Sequence, residues 1–285
     1  MKVGTKIGIG VGAAAAVAAA GAVRCGKSVD SQRFRAHPDR TNARYAHRGL
    51  HNAAHGIPEN SIAAFRRAAN LGFGIELDVQ LTADGEVVVF HDENLNRVCG
   101  VDRLLHDCTF AELQTYRLSG TSERIPRFAD VLAEVAGRVP LIVEVKYYAR
   151  RTELCEKTAR LLSAYGGPAV IESFHPLIIH WWKHHYPQVL RGVLAENFER
   201  RRSLAFPASW VAGRLLLNGL IQPDFVAYRF EDRDDRPVRR FAKAGGTCFF
   251  WTIRSAADMV AAERIGGTVI FEGFLPNAPT RKAKQ

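Results

Sequence analysis

Glu76 and Asp78 stand two residues apart in a stretch, 74–79, that reads as a buried strand. Alternate residues of a strand share a face, so the two carboxylates point the same way. On an interior face such a pair repels and loses solvation unless a cation compensates. Glu144 and Lys146 repeat the spacing in the next strong strand candidate, 140–146. Three convergent carboxylates with no thiolate form a hard-oxygen donor set, suited to Mg2+ or Ca2+. A purely structural ion network with Lys146 and Arg48 would use the same residues.

His47-Arg48-Gly49 ends the first strand candidate, and His91-Asp92 follows a short extra one. Two histidines can divide acid–base work between an attacking oxygen and a departing alkoxide. Cleavage of a phosphodiester needs that division. Arg48 can offer a phosphate two N–H groups, and Gly49 is expected to let a ligand approach closely.

Residues so far apart in sequence must be gathered by the fold. Eight short apolar runs are strand candidates: 44–47, 74–79, 140–146, 169–174, 189–194, 225–228, 248–253 and 268–271. Many are rich in Val, Ile and Phe, as strands covered on both faces are. Helical patterns at 62–72, 128–135, 153–165, 177–185, 210–220, 237–244 and 256–265 fill most gaps, with Ser255 and Gly266 as a start and a stop for the last. Eight alternations predict a (β/α)8 TIM barrel, whose chemistry sits at the C-terminal ends of the strands. An extra strand at 86–90 and an excursion over 94–127 predict a small insertion after the second strand, on the catalytic face. The polar residues ending strands, beyond those named, include Glu172, Arg229, Arg254 and Glu272.

Five short motifs in order resemble the glycerophosphodiester phosphodiesterase family: His47-Arg48-Gly49, Pro58-Glu59-Asn60-Ser61, Glu76-Leu77-Asp78-Val79, His91-Asp92-Glu93-Asn94-Leu95 and Glu144-Val145-Lys146. Weaker echoes run through Ser173-Phe174, the Pro187 region and Trp251-Thr252-Ile253, so the resemblance spans 44 to about 276. It implies metal-dependent hydrolysis of glycerophosphodiesters on a TIM barrel. It further implies His47 and His91 as the acid–base pair and Glu76, Asp78 and Glu144 as ligands of Mg2+ or Ca2+. Arg48, Lys146, Glu59 and Trp251 are the expected substrate contacts. Two positions depart from the family pattern: Arg254 stands where Asn is usual, and Phe271-Glu272 where Thr-Asp is usual. Both lie on the rim that would meet the substrate alcohol, and Arg254 is expected to favour a more anionic substrate. Release of headgroups from lysophospholipids, or a silent phosphate-binding barrel, are the other functions considered.

The chain has 285 residues, 47% hydrophobic and 24% charged, with a formal charge of +10. Those fractions exclude a disordered tail, a collagen and a small disulfide scaffold. The charge suits anionic partners, whether phosphate esters, nucleic acid or an acidic membrane surface, and does not choose among them; the resemblance implies a small phosphodiester or a lysophospholipid as substrate. No aromatic-interleaved RNA motif accompanies Arg200-Arg201-Arg202 or the basic tail 277–285, so no nucleic acid is expected. Residues 7–23 carry no charge and consist of Ile, Val, Ala and Gly. They read as a membrane anchor within 1–28, or as a cleaved signal peptide; the lack of a leucine-rich centre favours the anchor. The basic linker 29–43 behind it favours a cytoplasmic-facing barrel over 44–276. The GAVRCGKS string at 21–28 matches a phosphate loop in letters, but no strand precedes it and no helical pattern follows. Five cysteines without a CxxC pair argue against a metal ribbon, although Cys99 and Cys108 could pair in an oxidising compartment. His175, His180, His184 and His185 gather near one helix, where packing or surface roles are expected.

Overall fold

Eight strands run parallel and close on themselves in a computed structural model that describes residues 43–149 and 152–277, with Arg33, Ala36 and His37. They are β1 (Arg44–Ala46), β2 (Gly74–Leu81), β4 (Leu141–Val145), β5 (Ala169–Ser173), β6 (Arg191–Ala195), β7 (Phe225–Arg229), β8 (Thr247–Ile253) and β9 (Thr268–Phe271). A ninth, β3 (Val87–Val89), pairs antiparallel with β2. β1 bonds to both β2 and β9, which closes the barrel. All eight expected barrel strands and the extra one are present.

The helices follow from local signals. Ser61 caps α1 (Ile62–Asn70) by accepting from the Ala64 N–H, and Ser255 caps α6 (Ala256–Arg264) through the Asp258 N–H. Between them lie α2 (Phe128–Val135), α3 (Thr152–Tyr165), α4 (Pro176–His185) and α5 (Arg236–Lys243). Their apolar faces cover the outward side chains of the strands: Phe65 of α1 and Val131 of α2 join Leu77 and Val79 of β2 in one cluster. The single helix expected over 210–220 is instead two short ones, Ala208–Gly213 and Asn218–Ile221. Leu215 between them has φ 57°, in the left-handed region, so a right-handed helix cannot run through it. The break turns the Leu215 side chain into the core.

Inside the barrel the side chains form a second cluster, with Tyr45, Ile142, Val170, Phe225, Phe249 and Ile270 among its members. Two residues further along most of these strands, on the same inward face, the apolar residue gives way to a polar one. Tyr45 leads to His47, Ile142 to Glu144, Val170 to Glu172 and Ile270 to Glu272. The lower barrel is therefore dry, and the C-terminal mouth is charged. The excursion after β3 holds a third cluster, in which Leu95, Val98, Leu105, Leu113 and Ile125 pack with Val88 of β3. A capping box on Thr109 starts its short helix Phe110–Leu113.

The apolar segment 7–23, the phosphate-loop string 21–28 and nearly all of the basic linker lie outside the described residues. Among the described residues no helix is long and apolar enough to cross a membrane. Cys99 and Cys108 are free thiols, so the pairing considered from sequence is not formed.

Gly192 of β6 is where the lower barrel is tightest. A Cβ there would lie 2.1 Å from the Phe225 ring, which stacks on Phe249 with centroids 4.6 Å apart. Gly192→Ala is expected to cost about 1–3 kcal/mol through overpacking. Denaturant titration checks this: a lower midpoint at unchanged slope is the expected result.

Candidate active site

β2 runs past the barrel rim, turns at Asp84-Gly85 and returns as β3, with Val89 opposite Val79. The Phe90 N–H then donates to the Asp78 carbonyl at 2.9 Å. His91 is thereby set down at the level of Asp78. Gln80 fastens this return: its buried amide donates to the carbonyls of Phe90 and Asp92, both at 2.7 Å. On the other side of the mouth, His47 follows β1 directly, and its N–H donates to the Phe271 carbonyl of β9 at 2.9 Å.

Glu76, Asp78 and Glu144 are buried, and each offers a carboxylate oxygen within 4.8 Å of the others. Lys146 Nζ lies 2.8 Å from Asp78 Oδ1 and 2.8 Å from Glu144 Oε1. The Arg48 backbone N–H donates to Glu76 Oε2 at 2.9 Å, and the Asn60 amide to Asp78 Oδ2 at 2.9 Å. Arg48 Nε stands 3.7 Å from Asp78 Oδ2. Glu172, beside Glu144 in the register, is also buried, and its Oε2 has no hydrogen-bond partner.

The electrostatics follow from that crowding. Burial, then the charges of Asp78, Glu172 and Glu144, push the Glu76 carboxyl well above the usual range. Burial and Glu144 do the same to Glu172. Glu144 is also raised, by burial first, with Lys146 opposing. Burial would raise Asp78 too, but Lys146, His91 and Arg48 overrule it and hold it well below its usual value. Four carboxyl groups face two cations, Lys146 and Arg48, so the cluster lacks the positive charge needed to keep all four ionised. An all-oxygen donor set short of positive charge fits a divalent cation. Glu76, Asp78 and Glu144 can hold one.

Both histidines are held through Nδ1. His47 Nδ1 is 2.5 Å from Glu272 Oε2, and His91 Nδ1 is 2.6 Å from Asp92 Oδ1. His47 Nε2 lies 4.0 Å from Glu76 Oε2. Burial, with a smaller push from Arg48, lowers the affinity of His47 for a proton. Glu59, expected among the substrate contacts, spends its oxygens on arginines: Arg48 at 2.7 Å and Arg97 at 2.7 and 2.8 Å. Burial would raise its carboxyl, but Arg97 and Arg48 hold it at about 2. Trp251 donates its indole N–H to the Ala227 carbonyl at 3.1 Å and carries Arg229 over its ring at 4.7 Å.

Nine expected residues thus meet at one mouth, in different ways: Lys146 sits among the carboxylates, and Glu59 braces Arg48. Arg254 pairs with Glu272 at 2.5 Å, so the positive charge expected there is matched by a neighbour. Gly49, expected to admit a ligand, serves helix packing instead. Its φ is +79°, and a Cβ would come within 2.8 Å of Ala64 Cβ in α1. Asn60, Gln80 and Arg97 are structural partners of the site that the sequence reading did not assign. The four clustered histidines make ring contacts outside the acidic cluster: His175 stacks on Tyr147 at 3.9 Å, His180 lies against His184 at 4.4 Å and His185 stacks on Trp181 at 4.5 Å.

A parallel barrel with carboxylates and histidines gathered at its C-terminal mouth has the layout of a (β/α)8-barrel enzyme. Residues 47–273 match the glycerophosphoryl diester phosphodiesterase family. The chain belongs to that family and is by class a phosphoric diester hydrolase. It is 29% identical over 234 residues to a glycerophosphodiester phosphodiesterase of Caldanaerobacter subterraneus, covering 75% of this chain and 86% of that one. It is 33% identical over 153 residues to human glycerophosphodiester phosphodiesterase 1, covering 50% of this chain and 45% of the human protein. The chain thus spans about half the length of this second relative. In fold it is similar to an Oleispira antarctica phosphodiesterase solved with the product sn-glycerol-3-phosphate. That likeness has a TM-score of 0.69 at 22% identity, over 83% of this chain and 93% of that one.

A cation that binds the folded donor set and not the unfolded chain must stabilise the fold. At a hundred times its dissociation constant, Mg2+ or Ca2+ is expected to add about 2.7 kcal/mol, seen as a higher melting temperature. Glu76→Gln combined with Glu144→Gln should abolish the rise. An equal rise in that double variant would place the binding elsewhere.

Proposed function

We propose that this protein hydrolyses glycerophosphodiesters to an alcohol and glycerol phosphate, with His47 and His91 as the acid–base pair. The observation that carries the reading is two histidines, each anchored through Nδ1, flanking a buried acidic cluster at one barrel mouth. Glu76, Asp78 and Glu144 hold a divalent cation, Mg2+ or Ca2+. When bound, it supplies charge to offset that developing on the phosphoryl oxygens. Arg48 and Lys146 contact the phosphate, and Trp251 lines the rim on the alcohol side. One histidine takes the proton of the attacking oxygen as the new P–O bond forms. The other delivers a proton to the alcohol oxygen as its P–O bond breaks.

Release of headgroups from lysophospholipids is the second reading, by the same chemistry. Phe174, 40% exposed, stands edge-on to Trp251 with centroids 5.6 Å apart, an apolar wall beside the mouth on which an acyl chain could lie. The uncharged run 7–23 would tether the barrel to a membrane, cytoplasmic-facing by its basic flank. Membrane fractions washed with carbonate should retain the full chain and release a form lacking residues 1–28; release of both would dismiss the tether.

Purified protein assayed on glycerophosphocholine and on lysophosphatidylcholine, with and without EDTA, separates the readings. His47→Ala or His91→Ala is expected to lower turnover roughly 100-fold or more. Near-wild-type rates in both single variants would defeat the acid–base assignment.

A further inference from the structure

Glu272 has no part in the phosphate chemistry described above, yet its two oxygens are both committed. Oε2 meets His47 Nδ1 at 2.5 Å, and Oε1 accepts from Arg254 Nη2 at 2.5 Å. Its backbone N–H donates to the Ile253 carbonyl at 3.0 Å, which fixes it to the end of β8. Arg254 is the next residue after Ile253, so carboxylate, arginine and two adjacent strand ends form one small closed frame.

We infer that Glu272, braced by Arg254, is the positioning residue for His47, holding its ring so that Nε2 is the atom presented to the reacting groups. The inference rests on the acid–base reading of His47. A carboxylate at Nδ1 accepts that atom's N–H and selects the tautomer with the lone pair on Nε2. Nε2 is then the nitrogen on the side of Glu76, 4.0 Å from its Oε2. The other neighbour of Glu272 Oε2, His51 Nε2 at 3.9 Å, is too distant to hydrogen-bond to it. Burial would raise the Glu272 carboxyl, but His47 and Arg254 hold it at about 2, so it stays ionised.

The other histidine is held in the same manner by unrelated chain segments. Asp92 Oδ1 takes His91 Nδ1, and Arg97 Nε donates to Asp92 Oδ2 at 2.6 Å. The order histidine, carboxylate, arginine thus occurs on both sides of the carboxylate cluster. An arginine behind each carboxylate suits an orienting role, because a braced carboxylate is less free to swing away from the ring.

The test is steady-state turnover of glycerophosphocholine by the cation-loaded full chain. Glu272→Gln keeps the size but can turn an amide N–H toward Nδ1, favouring the wrong tautomer. It should lower kcat by about 10- to 100-fold and leave KM within about twofold. Glu272→Asp should recover part of that loss. Arg254→Gln, at a half-exposed side chain that leaves the fold intact, should lower kcat about three- to tenfold. Neither substitution should matter further once His47→Ala is present, and nitrogen NMR of the ring should show the Nδ1–H signal lost in Glu272→Gln. If His47→Ala is crippled while Glu272→Gln and Arg254→Gln keep wild-type kcat, the positioning role falls and the His47 assignment stands. If Glu272→Gln slows the His47→Ala protein as much as the wild type, Glu272 acts through something else and the inference is overturned. An active His47→Ala protein would instead remove the reading beneath it. Should Glu272→Gln fail to fold, an unchanged kcat in Arg254→Gln and Glu272→Asp is equally adverse.

Discussion

Carboxylates from Glu76, Asp78, Glu144 and Glu172 converge inside the barrel mouth, where water is scarce and like charges repel strongly. The arrangement around them is a response to that repulsion. Lys146 places its ammonium between Asp78 and Glu144. The Asn60 amide and the Arg48 backbone N–H satisfy two more oxygens. Arg48 is itself kept in place by Glu59, and Glu59 by Arg97. Each partner added to calm the cluster thus needs a partner of its own, and the network spreads from the barrel wall to the excursion after β3. The shortage of positive charge that remains leaves Glu76, Asp78 and Glu144 as a set of oxygens that could hold a cation.

The barrel separates stability from chemistry by position along each strand. The inward residues of the lower barrel are apolar and ring-packed, with Phe225 and Phe249 stacked over Gly192. One pleat further along, the same faces carry Glu144, Glu172, Arg229 and Glu272. A strand with both faces covered accepts this switch, because its backbone hydrogen bonds are indifferent to the side chain. The cost falls on the charged upper layer alone, and the dry layer beneath keeps water from entering the barrel from below. The helices contribute by covering the outer faces, and Gly49 lets α1 approach the loop that carries His47 and Arg48.

Most of this frame was legible in the sequence because strands and helices leave periodic marks. The eight barrel strands, β3, the cap at Ser255 and the convergence of Glu76, Asp78 and Glu144 all follow from spacing. What was hidden depends on contacts between distant residues or on single backbone angles. Glu272 was legible as a strand end but not as the partner of His47, which lies 225 positions away. Arg97 sits in the single helical turn Asn96–Cys99, too short to leave a periodic signal, and its bonds to Glu59 and Asp92 exist only once the excursion folds back. The break at Leu215 was invisible because leucine favours helix and nothing in its neighbours announces a left-handed residue.

Those long-range contacts bear on how the site is assembled. β1 pairs with β9 when the barrel closes, and the His47 N–H bonds to the Phe271 carbonyl at that seam. Glu272 is the next residue, so the carboxylate reaches His47 only when the first and last strands of the barrel have met. His91 depends instead on the β2–β3 hairpin, a contact that is local in sequence and can form early. The two histidines therefore reach their places by different routes, one with the hairpin and one with closure. An open or incomplete barrel would hold His91 and lack the frame for His47. The arrangement ties the finished geometry of the mouth to the pairing of the first and last strands, so a barrel in which β1 and β9 have not met lacks the carboxylate that holds His47.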